Sequence, residues 1–167
     1  PKPDDILASG SFGGFTWSLS GSGTLTVVGE GIESENMNNI SLVTRFDAPD
    51  LSYLSTGDAE QEAEEALAFS QAALQADVFK AGHHGSAGSN TAAFLMRTAP
   101  KLVVASCGKD NDYGHPHTET LERYNAIGAQ VHRTDREGSV VVYATPEGYR
   151  VRTEKGTEMA MILRPAA

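Results

Sequence analysis

The sequence predicts a mixed α/β fold, an α+β arrangement in which one mixed β-sheet carries helices on one face. Three observations lead there. The first third alternates apolar and polar residues with a period of two, the mark of half-buried antiparallel strands. From Leu51 onward, short apolar runs alternate with stretches of helical periodicity, the sequence form of strand–helix–strand units. No internal repeat and no linker interrupts the 167 residues, so a single domain, 1–167, is expected.

Each element has its own warrant. Phe15–Leu19 and Thr24–Val28 alternate around Ser20-Gly21-Ser22-Gly23 and predict a hairpin. Gly29 to Asn39 is polar and reads as a loop. Ile40–Phe46 and Leu51–Ser55 form a second strand pair about Asp47-Ala48-Pro49-Asp50. A helix follows Asp58, with Ala63, Ala66, Leu67, Ser70 and Leu74 on one stripe; Glu60, Glu62, Glu64 and Glu65 read as its solvated face. Ala76–Lys80 is a short buried strand. Ser89 is placed to cap a helix over Asn90–Arg97, closed by Ala99-Pro100. Leu102–Cys107 is apolar throughout, as strands covered on both faces are. Thr118 is placed to cap a third helix over Glu119–Ile127, with Gly128 as its C′ residue. Gln130–Arg133, Ser139–Tyr143 and Tyr149–Thr153 close the chain as strands, joined by Asp135–Gly138 and Thr145–Gly148.

Composition removes several classes of function. Thirteen basic against twenty-two acidic residues leave a net charge of −9, which repels a phosphate backbone at long range and argues against a non-specific nucleic-acid binder. A nuclease survives that argument, because active-site metals supply positive charge locally. No apolar stretch approaches the ~20 residues that span a bilayer, so no membrane insertion is expected in this segment. The opening Pro1-Lys2-Pro3-Asp4-Asp5 reads as a boundary rather than a natural start. The lone Cys107 lies in an apolar run and reads as a buried structural thiol.

Two segments carry chemistry. Thr56-Gly57-Asp58 ends one apolar run and Ala81-Gly82-His83-His84-Gly85-Ser86 ends the next, each setting a metal-competent side chain where a strand runs out. Carboxylate and imidazole are the usual zinc ligands, and a carboxylate has two oxygens with which to bridge metals. Each segment also has a plainer reading. Asp58 is a good helix N-cap, with Gln61 set for the reciprocal contact. The histidine pair is equally compatible with a polar loop. Ser86 is a nucleophile candidate beside histidine, but it lacks a nucleophile-elbow setting and ranks as a loop or phosphate-contacting hydroxyl. His115 and His117 have the His-x-His form, but Glu119 and Thr120 stand where an Asp-His continuation belongs, so a cleft-lining loop is the better reading. His132 reads as structural or surface. Neither a P-loop nor a dinucleotide fingerprint is present.

The order of these segments resembles a known family. Asn38–Val43, Leu54–Glu60, Asp77–Ser86, Val104–His117 and Arg133–Gly138 are similar to the metallo-β-lactamase-fold hydrolases, in the branch associated with competence DNA uptake; the likeness runs over roughly residues 36 to 143. The resemblance implies half of a four-layer αβ/βα sandwich, with a one- or two-metal site at its edge. It implies Asp58 as the bridging carboxylate and His83 as a metal ligand, with His84 the alternative. It also implies zinc, or manganese, and a metal-bound hydroxide that attacks a phosphodiester or other ester.

The family's His-x-His-x-Asp-His signature does not occur in these residues. The chain is therefore expected to be the carboxy-terminal half of such a hydrolase, binding zinc weakly and turning over nothing alone. One sheet face should lack a partner, and leaving it wet would cost about 25 cal/mol per Å² of apolar surface. A missing amino-terminal half or a second copy of the chain is the expected cover. The leading function is phosphodiester hydrolysis, with Asp58, His83 and His84 as catalytic residues and Ser86 and His115 lining the cleft. The alternatives are a non-catalytic secreted binding or surface module, and a phosphocholine-type esterase acting on cell-wall polymer. The branch suggests a location outside the cytoplasmic membrane.

Overall fold

The computed structural model describes residues 6–12, 15–20, 25–29, 35–48, 51–145, 148–156 and 159–163. Two compact units divide the chain, residues 1–40 and 41–167. In the first, β1 (Ile6–Phe12), β2 (Phe15–Ser20) and β3 (Leu25–Gly29) form an antiparallel sheet in that order. The predicted hairpin is there, with Leu19 opposite Leu25 and Thr16 opposite Val28. β1 lies outside the predicted elements. The predicted loop at 29–39 and the turns at 20–23, 47–50 and 145–148 fall partly outside the described residues.

The second unit holds β4 (Thr44–Ala48), β5 (Leu51–Ser55), α1 (Gln61–Phe69), β6 (Val78–Lys80), α2 (Ala92–Thr98), β7 (Leu102–Ala105), α3 (Thr118–Ala126), β8 (Gln130–Arg133), α4 (Thr134–Glu137), β9 (Val140–Thr145), β10 (Gly148–Thr153) and β11 (Met159–Leu163). Strands β4 to β8 form one sheet in sequence order; β4 is antiparallel to β5, and β5 to β8 run parallel. Each parallel step passes through one of α1, α2 and α3 in the same direction across the sheet. Right-handed crossovers then put all three helices on one face, as predicted.

Strand alternation sorts the core into two layers. Leu54, Phe79, Val103 and Ala105 face the helices and pack with Leu67, Phe94, Leu95 and Tyr124. Val78 and Leu102, with Leu51, Tyr53 and Val104, face the other way and meet Tyr149 and Val151 of β10 and Val140 and Val142 of β9. This corrects the expectation that the second face lacks a partner. The antiparallel β11–β10–β9 sheet folds back over it. Apolar surface remains at Phe46, Leu42 and Val141, which stay exposed.

Helix starts differ from those the sequence predicts. α1 begins at Gln61 with Glu60 in the capping position and no side-chain cap, so Asp58 is not an N-cap. Thr91, not Ser89, caps α2 by accepting the Phe94 N–H, and Ser89 Oγ donates to Ala59 O instead. Thr118 is the first residue of α3, not its cap. Gly128 does close α3, at φ +71°. The strand predicted from Ile40 starts only at Thr44, because Met37–Ile40 forms a 3-10 turn. Among the described residues no helix is long and apolar enough to cross a membrane.

Candidate functional site

The carboxyl ends of β5, β6 and β7 release their loops at one edge, where parallel sheets habitually present ligand-binding groups. Gly57 turns the chain after β5 at φ +59° against Ser41, whose hydroxyl accepts the Asp58 N–H at 3.0 Å. After β6, the His83 N–H donates to Gly57 O at 3.0 Å, tying the two loops together. His83 and His84 then follow at φ 45° and 57°, two consecutive left-handed residues that are not glycine. Such backbone costs about 1–3 kcal/mol per residue and persists only where the surroundings over-determine it.

Those surroundings are a buried polar network. The fully buried Asn90 accepts the Gly82 N–H at 2.8 Å through Oδ1 and donates through Nδ2 to Gly82 O and Ser86 O. Tyr124 donates its hydroxyl to the same Oδ1 at 2.6 Å. Glu64 is fully buried and accepts the N–H groups of Asn90 and Thr91, each at 2.7 Å. Arg123 donates to the carbonyls of Ala87 and Ser89. Glu64 therefore does not belong to a solvated face. The sequence held the signal, because Glu64 stands one turn before Leu67 on the stripe that packs inward. Asn90 gave no sign of its role, since its partners come from three different loops and helices.

The strained turn presents its imidazoles as a cluster. Asp58 Oδ1 lies 3.6 Å from His84 Nε2, both side chains being about half exposed. His84 Nδ1 lies 2.7 Å from Ser106 O, a contact that requires a proton on Nδ1; in the neutral ring the Nε2 lone pair then faces Asp58. Holding one ring nitrogen on a carbonyl is how proteins orient a metal-binding imidazole. His83 Nδ1 lies 3.3 Å from Glu60 Oε1, within ion-pair distance; the geometry is not that of a hydrogen bond, and this nitrogen is shielded from solvent with no hydrogen-bond partner. His115 stands over both rings, with centroids 5.5 Å from His83 and 6.3 Å from His84. Burial, and then the charges of His117, His83 and His84, push the His115 imidazole below its usual range, with Asp58 opposing. Burial thus favours the neutral form of this ring.

The other predicted residues take plainer places. Ser86 Oγ accepts the Gly88 N–H at 3.2 Å and closes a turn. His117 is committed at both nitrogens, accepting the Ala87 N–H at Nδ1 and meeting Tyr113 O at Nε2, so neither lone pair is open to a ligand. His132 is buried between Glu137 and Gln130 and is structural. Cys107 is half-buried, its thiol 3.5 Å from Asp135 Oδ1 and pushed up by burial and then by that carboxylate.

Asp58, His84, His83 and His115 thus share one edge. Among the described residues, however, no group of three His, Cys, Asp or Glu side chains is set to hold a metal ion. The donor chemistry, one carboxylate beside one imidazole nitrogen and a buried nitrogen without a hydrogen bond next to them, fits one side of a metal site and not a whole one.

Fold and edge together define an α/β protein whose parallel strands end in a histidine–carboxylate cluster. No protein-family profile matches the chain. It is similar to competence proteins: 35% identical over 128 residues to ComE operon protein 3 of Bacillus subtilis, and 36% identical over 104 residues to competence protein ComA of Neisseria gonorrhoeae. Recombination protein 2 of Haemophilus influenzae is 33% identical over 105 residues. These matches cover 77%, 62% and 63% of this chain, but only 16%, 15% and 13% of those proteins, so the chain spans a small part of the length of its relatives.

Proposed function

We propose that this chain supplies one side of the active site of a metallo-β-lactamase-fold phosphodiesterase that acts on nucleic acid during DNA uptake. The Asp58–His84 pair carries the reading. Its two members come from separate strand ends, one lone pair is aimed at one carboxylate, and the connecting turn is strained and locked. The competence names of the relatives support nucleic acid as the substrate. The run of βαβ units ending at the cluster supports the half-sandwich implied by the resemblance.

Asp58 and His84, with His83 beside them, would hold zinc or manganese. When bound, the metal supplies water activated near neutral pH. The protein's own part is positional. The Ser106 carbonyl fixes the His84 tautomer, and the Asn90–Glu64 network holds the turn against its strain. His115, biased by burial toward its neutral form, would serve as a proton acceptor over the pair. The remaining ligands would come from the amino-terminal half of the sandwich or from a second copy, and a location outside the cytoplasmic membrane goes with this reading.

The test is metal content after equilibrium dialysis, together with hydrolysis of a single-stranded oligonucleotide, in the full-length protein. Asp58→Ala and His84→Ala should each lower metal affinity at least about tenfold and abolish hydrolysis; His83→Ala tells which imidazole is the ligand. Unchanged metal content and hydrolysis in the Asp58 variant would sink the proposal. The 167-residue chain alone should bind zinc weakly and hydrolyse nothing.

A further inference from the structure

We propose that Tyr113 is a stacking platform for an unpaired nucleobase at this edge; the inference rests on the phosphodiesterase reading and names how its substrate is held. Tyr113 is 77% exposed, an unusual state for a large aromatic side chain. Its ring is nonetheless not loose. One face lies against His115 with centroids 5.6 Å apart and planes 22° from parallel, and His115 in turn lies 18° from parallel with His84. Both separations fall in the offset-stacked range. Tyr113 and His84 thus both lie near parallel to His115, His84 being the imidazole that meets Asp58, and most of Tyr113 is open to solvent.

The loop that carries the ring is held by its own hydrogen bonds. Asn111 donates to Gly108 O and His115 O and accepts the His115 N–H, while Gly114, at φ +70°, donates to Asn111 O. His117 Nε2 reaches Tyr113 O at 3.0 Å. A side chain on a held backbone, with His115 already beside its ring, loses less conformational freedom when a flat partner covers it.

Charge decides between the two ways of holding a nucleic acid strand. At −9 overall, with Asp110 and Asp112 just before Tyr113 in the chain and Lys109 close to Asp110, this edge is poorly suited to binding a run of phosphates. Base–aromatic stacking needs no such charge and tolerates any sequence. A single strand, whose bases are free, is the substrate form that fits.

The experiment uses the full-length protein, a single-stranded oligonucleotide with one 2-aminopurine, and the same strand with an abasic spacer at that position. Wild type and Tyr113→Phe should quench the 2-aminopurine. Tyr113→Leu, which keeps an apolar cover over His115, and Tyr113→Ala should not. Both should raise KM roughly 5- to 100-fold with kcat nearly unchanged, and the abasic strand should not distinguish them from wild type. A Leu variant that quenches and cleaves like wild type overturns the platform even if Asp58→Ala abolishes cleavage. Quenching that depends on Tyr113 in a protein that cleaves nothing upholds the platform and overturns the hydrolase reading.

Discussion

Replacing Glu64 by alanine removes the acceptor for the buried N–H of Asn90 and the half-buried N–H of Thr91, each held at 2.7 Å. An orphaned buried donor costs about 1–3 kcal/mol and a half-buried one less, so the loss is about 2–4 kcal/mol. That is a large share of the ~5–15 kcal/mol that holds a typical domain together. Glu64→Gln keeps one acceptor oxygen and turns an amide N–H toward the other donor, so it should cost about half as much. Tyr124→Phe should cost only about 1 kcal/mol, because Asn90 Oδ1 keeps the Gly82 N–H as a donor. The assay is urea unfolding, with hydrogen exchange at Asn90 and Thr91 reporting the local loss.

The same carboxyl has a pH signature. Burial raises the Glu64 pKa above 4.5, opposed by the Thr91 and Asn90 N–H groups and by Arg123. The folded chain then keeps this proton to higher pH than the unfolded chain does. Its contribution is complete below 4.5 and declines as pH rises through the raised value, then levels off. The difference between wild type and Glu64→Gln isolates that slope. An alanine variant within about 0.5 kcal/mol of wild type, the range of an ordinary surface substitution, would refute the claim that Glu64 anchors the turn.

Two other outcomes follow from particular contacts. Cys107 should react with iodoacetamide more slowly than free cysteine at neutral pH, because burial and Asp135 disfavour its thiolate; Asp135→Asn should speed the reaction, and labelling at the free-cysteine rate would contradict this. Gly85→Ala should destabilise by about 1–3 kcal/mol in thermal or urea unfolding, since Gly85 sits at φ +90° and an added Cβ would lie 2.5 Å from Pro116 Cβ; a neutral result would show that the two loops are not pressed together.

The strands β5 and β8 and the Gly128 helix end were legible because each rests on local signals, alternation or a left-handed glycine. The helix caps were misread because Asp58, Ser89 and Thr118 all have cap chemistry, and only the fold shows which oxygen reaches a free N–H. Glu64 was misread because charge outweighed position in the reading of its helix. Asp58, His83 and His84 stood out by residue type and by their place after apolar runs, and His115 by its His-x-His form, but not their pairing. In a chain that turns left-handed twice in succession, the direction of each imidazole is set by Asn90 and Ser106, residues distant in sequence.

By itself, the sequence determined the order of strands and helices from β5 to β10, the short α4 apart, and singled out side chains of metal-ligand type, because periodicity and side-chain chemistry are local properties. The tertiary structure alone decided that β9 and β10 cover the second sheet face, that His84 rather than His83 meets Asp58, and that Tyr113 lies flat on His115. Each of those depends on which distant segments the parallel sheet brings together at one edge, a matter of packing that no window of the chain contains.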